Sequence, residues 1–232
     1  MADSNDSPAP TQSTTSHAPA GRCRRAWVFF LLSVVVGLVL DLGTKVIAFR
    51  EVGPHPVDVD RAEALAIMAG GGNLQQLIPP ADPVTVVPHL LEFQLVLNAG
   101  AVFGTGSGQR WFFISFTIFA LAFALLFFAR WTQRGDRMAH LAIALVISGG
   151  IGNLYDRLVF GCVRDFIHPL PGVHLPFGLS WPNSGTTEMW PYVSNVADAF
   201  LLIGIGVLMI RLWGKDGGKK RESSTSTADA AG

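Results

Sequence analysis

Charged side chains are scarce in this sequence: Asp, Glu, Lys and Arg supply 15% of its 232 residues, where soluble domains carry roughly 25%. With 50% hydrophobic residues, that shortfall excludes an ordinary soluble domain and points to a membrane protein. Cysteine is scarcer still. Cys23 stands before an apolar run rather than after it, so it is not a lipobox cysteine but an ordinary thiol. Cys162 has no histidine near it except His168, and is expected as a small apolar filler rather than a nucleophile. Net charge is missing too: 17 Lys+Arg balance 17 Asp+Glu. The total argues neither for nor against nucleic acid, and position along the chain matters more. Met1 to Gly21 almost lacks large apolar side chains and cannot bury enough surface to offset the entropy of ordering. Residues 1–23 are therefore expected as a disordered tail, and so is the Ser-, Thr- and Ala-containing end at 214–232.

Between the tails lie four apolar runs, expected as membrane-spanning helices at about 26–49, 111–129, 138–158 and 193–212. Each approaches the roughly 20 residues that a spanning helix needs. The first is long for a cleaved signal peptide, carries Asp41 and Lys45, and has no convincing small-x-small cleavage site after it. Basic residues set the orientation. Arg22, Arg24 and Arg25 precede the first run, Arg130, Arg134 and Arg137 join the second to the third, and Arg211, Lys215, Lys219, Lys220 and Arg221 end the fourth. The other side holds Arg50, Arg61 and Arg164, with Lys45, Arg110 and Arg157 near the boundaries. By the positive-inside rule both termini are cytoplasmic, and the loops 50–110 and 159–192 face outward. The first loop contains a possible short helix at Ala62 to Met68 and a period-two segment, Leu91 to Leu95, with the pattern of a half-buried strand. The expected fold is an all-α membrane protein of four transmembrane helices with a small extracytoplasmic β/loop subdomain, the whole domain covering residues 24–213.

Polar groups then gather at one level. Asp41 and Lys45 lie at the outer end of the first helix, Asn153, Asp156 and Arg157 at the outer end of the third, and Asn195 and Asp198 at the outer start of the fourth. Spacings of three and four place Asn153 with Asp156 and Arg157, and Asn195 with Asp198, on shared helix faces. Asp165 follows the third helix by one short turn containing Gly161, which can return its carboxylate toward Asp198. Intramembrane carboxylates are costly and usually face a bundle interior at a functional site. Two carboxylates in a partly dry site share one proton. One is then a base that deprotonates water to attack a peptide carbonyl, and the other an acid that serves the oxyanion and the leaving amine. The bland alternative makes Asp41 with Lys45, and Asp156 with Arg157, structural ion pairs.

Five ordered motifs carry a resemblance. They are Asp41-Leu42-Gly43-Thr44-Lys45, Asn98-Ala99-Gly100-Ala101-Val102-Phe103, Gly149-Gly150-Ile151-Gly152-Asn153-Leu154-Tyr155-Asp156-Arg157, Val163-Arg164-Asp165-Phe166 and Asn195-Val196-Ala197-Asp198-Ala199. Together they resemble the motifs of lipoprotein signal peptidase, signal peptidase II, over about Arg24 to Trp213. The resemblance implies a bacterial plasma-membrane aspartic endopeptidase that cuts a prolipoprotein signal peptide before a cysteine already carrying diacylglycerol. It implies no metal or other cofactor, membrane lipid and prolipoprotein as partners, no nucleic acid, and a monomer with its site at the outer leaflet. Motif matching makes Asp165 and Asp198 the catalytic pair. It has Asn153 and Arg157 contact substrate backbone or lipid and Asn98 hold the peptide, with Asp41, Lys45, Gly100, Asp156, Asn195 and Ala197 supporting the site.

The connection between Asp165 and Asp198 is long, with Pro169, Pro171, Pro182, Pro191, Trp181 and Trp190, and the first outer loop is also extended. Both are expected as tolerated surface insertions, since long loops add little closure entropy; the tryptophans can also lie at the headgroup level. A small proton-coupled transporter would also place carboxylates in a bundle, but four helices without an inverted repeat or broken helix pair suit it poorly. The Gly-x-Gly-Asp-like signature of other intramembrane aspartyl proteases is absent.

Overall fold

The computed structural model describes residues 19–100, 109–182 and 185–229. Most of the N-terminal tail and Ala101 to Phe103 of the second motif lie outside the described residues. Helices are α1 (Arg24–Glu51), α2 (Arg61–Ala69), α3 (Gln109–Trp131), α4 (Arg137–Val159) and α5 (Val196–Asp229), and strands are β1 (Val84–Val87), β2 (Leu91–Asn98) and β3 (Val163–Pro169). Among the described residues, four helices are long and apolar enough to cross a membrane: Arg24–Glu51, Arg110–Trp131, Arg137–Val159 and Val196–Trp213.

Two ends differ from the composition-based expectation. Residues 20–22 are a single 3-10 turn rather than the close of a tail. Ala20 N–H donates to the Thr132 carbonyl at 2.8 Å, and Trp27 Nε1 donates to the Gly21 carbonyl at 3.0 Å, so local hydrogen bonds hold what the side chains alone do not. At the other end, the helical backbone of α5 runs on to Asp229, into the stretch read as tail from 214. Once a spanning helix is nucleated, each further residue adds a hydrogen bond, and composition alone is a weak stop signal.

Helix α4 is the hub, packing against α1, α3 and α5. In its apolar window 61% is buried, against 11% in α3 and in α5. Small residues let the backbones approach, as membrane helix interfaces require where lipid is as apolar as leucine. A Cβ at Gly149 would meet the Ala197 carbonyl oxygen at 2.5 Å, and one at Gly204 would meet the Ala142 carbonyl oxygen at 2.6 Å. Gly152 faces the Asp41 carboxylate, which occupies the place its Cβ would take. Away from the polar level, Phe30 stacks on Phe128 with ring centroids 4.0 Å apart and seals the opposite end of the bundle.

The three strands form an antiparallel sheet in the order β1-β2-β3. Register between β2 and β3 shifts between Phe93↔Ile167 and Val96↔Asp165, placing one extra residue in β2. Such a bulge re-aims side chains next to a site. Leu95, Leu97, Cys162 and Phe166 join Ala48, Phe49, Val57, Ala64 and Leu74 in a core that seats the sheet and α2 on the end of α1. Cys162 is thus the expected filler, and burial pushes its thiol up to about 12, far from nucleophile range. Gly161, at φ +82°, makes the turn from α4 into β3, a left-handed cap that glycine adopts without strain.

Gly149→Ala should lower stability by about 1–3 kcal/mol by overpacking the α4–α5 contact. Gly206→Ala, where nothing lies within 4 Å, should be neutral or stabilising by up to ~1 kcal/mol. Thermal unfolding of the two variants in one detergent compares them; equal midpoints would show that the helices do not meet at Gly149.

Candidate active site

The polar cluster is built outward from Lys45, whose side chain is 0% exposed. Its Nζ donates to Asp41 Oδ2 at 2.9 Å and to Asn153 Oδ1 at 3.0 Å, and lies 3.4 Å from Asp156 Oδ2. Asp41 spends its second oxygen on α5, accepting from the Ala197 N–H at 2.9 Å. Asp156 turns to β3. Its Oδ2 accepts from the Arg164 N–H at 3.0 Å, and its Oδ1 accepts from Arg164 Nη2 at 2.9 Å and Nε at 3.3 Å.

The segment Asn195-Val196-Ala197-Asp198 folds as a capping box, the reciprocal arrangement that satisfies orphan N–H groups at a helix start. Asn195 Oδ1 accepts from the Asp198 N–H and Asp198 Oδ2 from the Asn195 N–H, both at 3.2 Å. The same two residues face the site. Asn195 Nδ2 donates to Asp165 Oδ1 at 2.5 Å and to Asn153 Oδ1 at 3.2 Å, while Asn153 Nδ2 donates to Asp198 Oδ1 at 2.8 Å. Asp165 accepts on its other oxygen from Asn98 Nδ2 at 3.0 Å. Asn98 Oδ1 in turn accepts from the Gly100 N–H at 2.8 Å, with Gly100 at φ +86°. Burial first, and then the charge of Asp198, push the Asp165 carboxyl up to about 7.

Asp165 and Asp198 line one open groove of about 1230 Å³. Met68, Leu74 and Leu97 form its apolar side toward the sheet, Leu201 and Leu202 its side toward α5, and Trp190 to Val193 a further wall. The groove thus joins two carboxylates to a large apolar surface, an arrangement suited to general acid–base attack on a substrate with an apolar body.

All the candidate residues meet here, with two corrections. Asp156 and Arg157 are not an ion pair. Adjacent side chains on a helix do not face each other, and Asp156 pairs instead with Lys45 and Arg164. Arg157 donates to the Asn153 carbonyl at 3.2 Å and lies 5.3 Å from the Phe113 ring centroid, with no carboxylate in ion-pair distance among the described residues. The second correction concerns the insertion between the two aspartates, which is more than surface: its last residues line the groove. Sequence reasoning also missed Arg164 and the pair formed by His168 and Glu92, whose Nδ1 and Oε1 are 2.7 Å apart. The signal for them was the strand β3, but it is buried along nearly its whole length and therefore shows no alternation.

Comparison with known proteins identifies the family. A family model described as signal peptidase (SPase) II matches residues 32–214. The lipoprotein signal peptidase of Desulfitobacterium hafniense (strain DSM 10664 / DCB-2) is 32% identical over 129 residues, covering 56% of this chain and 73% of its own. That of Halothermothrix orenii is 30% identical over 133 residues, covering 57% and 77%. A solved bacterial membrane enzyme superposes with a TM-score of 0.55 at 27% identity, over 82% of this chain and 90% of that one. With four apolar helices joined to a small sheet and a family match across most of its length, the chain belongs to the signal peptidase II family, multi-pass bacterial membrane proteases that remove signal peptides from prolipoproteins.

Proposed function

We propose that Asp165 and Asp198 are the catalytic pair, and that the chain cleaves diacylglyceryl-modified prolipoproteins immediately before the lipidated cysteine. The observation that carries this reading is that both carboxylates line one groove and are bridged by Asn195. With Asp165 pushed up to about 7, its carboxyl keeps a proton in a large share of molecules at neutral pH, as a general acid needs. Asp198 lies at the start of α5, where the helix dipole and backbone N–H groups favour an anion, and serves as base. It removes a proton from water as the oxygen attacks the scissile carbonyl. Asp165 donates its proton to the developing oxyanion; as the C–N bond breaks, the proton gained by Asp198 passes to the leaving amine and one hydroxyl proton of the diol returns to Asp165, leaving a carboxylic acid product and the pair restored.

The supporting residues divide the remaining work. Both polar atoms of Asn98 are engaged, with Asp165 and with Gly100, so it orients Asp165 rather than holding the peptide. Asn153 is likewise engaged by Lys45, Asn195 and Asp198 and orients Asp198. Arg157 keeps donors for the substrate. The lysine and arginine distribution supports cytoplasmic termini, with the sheet and groove on the outer side. The signal helix and acyl chains then enter sideways past Leu201 and Leu202. The protein works as a monomer, with no metal.

Purified protein in detergent should cut a diacylglyceryl-modified prolipoprotein, and Asp165→Asn and Asp198→Asn should each lose about 10²–10⁴-fold or more in rate while remaining folded. Substantial activity in either variant would remove that residue from the pair.

The pH dependence has a definite sign. Because folding raises the Asp165 pKa, the folded state binds this proton more tightly than the unfolded chain. The stability it contributes is full below the ordinary carboxylate range near ~4 and is lost as pH rises through about 7. Unfolding midpoints should fall across that window in the wild type and flatten in Asp165→Asn, with cleavage also declining on the alkaline side. A wild-type profile as flat as the variant's would contradict the assignment.

A further inference from the structure

Residues 170–182 and 185–193 form a strap between β3 and α5. It folds back on itself, with Met189 N–H donating to the Val173 carbonyl and Leu175 N–H to the Thr187 carbonyl, both at 2.7 Å. Its closing residues, Trp190, Pro191, Tyr192 and Val193, line the same groove as the two aspartates. Two points hold this wall. One is backbone pairing at Ser194, whose N–H donates to the Ile167 carbonyl at 2.8 Å and whose carbonyl accepts from Phe166 and Ile167 N–H at 2.9 and 2.8 Å.

The other point is His168, three residues beyond Asp165 on β3. Its Nδ1 lies 2.7 Å from Glu92 Oε1, the residue opposite it on β2, and its Nε2 lies 3.2 Å from the Trp190 carbonyl oxygen. Glu188 Oε2 of the strap stands 4.0 Å from Nε2. Every atom that faces the ring is an acceptor. A neutral imidazole carries one N–H and can satisfy one of these partners; the imidazolium carries two and satisfies both. The charged groups facing the ring are Glu92 from β2 and Glu188 from the strap. On its own strand, Arg164 is spent on Asp156 and Asp165 on Asn98 and Asn195.

We propose that His168 is a positioning residue which, in its charged form, latches the strap to the sheet and so holds Trp190 to Val193 as a fixed wall of the substrate groove. Loss of its proton gives up one of the two bonds and leaves the wall tethered to the sheet at Ser194 and to the rest of the strap at Met189. The wall is aromatic and aliphatic, and fits the apolar part of the substrate. The consequence for substrate rests on the assignment of this groove to prolipoprotein; the latch itself does not.

Hydrogen exchange of the full chain in detergent, corrected for intrinsic rates, reads the latch without ligand. The Ser194 amide, which donates to the Ile167 carbonyl beside the latch, should exchange roughly tenfold faster at pH 9 than at pH 6, the factor that one lost hydrogen bond of about 1.4 kcal/mol gives. His168→Gln should exchange fast at both. Glu92→Gln should exchange slowly at both, because the glutamine amide donates to Nδ1 of a neutral ring and leaves Nε2–H for the Trp190 carbonyl. Equal wild-type exchange at the two pH values, or a pH effect that survives in Glu92→Gln, overturns the latch. Binding is measured in Asp165→Asn, which removes the titration of the pair. There a labelled diacylglyceryl-modified prolipopeptide should bind severalfold more weakly at pH 9 than at pH 6, and equally at both after Glu92→Gln is added. If the exchange effect appears but no prolipopeptide binds at either pH, the latch stands and the assignment of the groove to prolipoprotein fails.

Discussion

A lysine ammonium with no exposed surface is the constraint on which the rest of the polar level depends. Burying such an ion costs several kcal/mol even after relaxation, unless carboxylates and further hydrogen bonds surround it. Lys45 meets that condition only when α1 and α4 are in one register, since Asp41 comes from α1 and Asn153 and Asp156 from α4. The two carboxylates then reach outward with their free capacity. Asp41 takes an N–H at the start of α5, and Asp156 takes the backbone and guanidinium of Arg164 in β3. One cation therefore registers both elements that carry the proposed pair. Asp165 follows Arg164 directly, and Asp198 follows Ala197 directly.

Residues that serve chemistry here also serve folding. Asp198 closes a capping box with Asn195, so the start of α5 and the position of a reactive carboxylate are one structural fact. Gly152 leaves room for the Asp41 carboxylate and Gly149 for the Ala197 carbonyl. The glycines of the central motif are needed for how closely α4 meets its neighbours, and a larger residue there would move the very atoms that hold the pair.

Much of this was legible in the sequence. The first three apolar runs fell within a few residues of α1, α3 and α4, and the fourth overlaps the apolar part of α5, which itself runs on to Asp229, because a spanning segment is recognised by length and composition. The polar residues at their outer ends do converge, because spacings of three and four survive folding. What stayed hidden depends on strands. Arg164 and Asp165 are sequence neighbours, and successive strand side chains point to opposite faces, so Arg164 serves Asp156 while Asp165 faces the groove. Nothing in Val163 to Pro169 alternates to announce this, since both faces are covered. The pairing of Glu92 with His168 depends on a register that only the folded β2–β3 ladder fixes. The role of the strap was hidden for the same reason, because its contact with the groove passes through β3.

Burial and charge together favour a proton on the proposed pair. Lys45 and Arg164 face Asp41 and Asp156, two cations against two carboxylates. Arg157 is a further cation on the same helix as Asp156, and Arg110 donates to the Arg157 carbonyl at 3.0 Å. With one proton between them, the pair carries one negative charge rather than two. Without it, a second negative charge would sit in a site that is largely withdrawn from water, where a like charge on a close neighbour strongly disfavours ionisation. The rise at Asp165 is set first by burial and then by Asp198, with the Asn98 and Asn195 hydrogen bonds and the charge of Lys45 opposing it, so a change at Lys45 should move the titration of a carboxylate it does not touch.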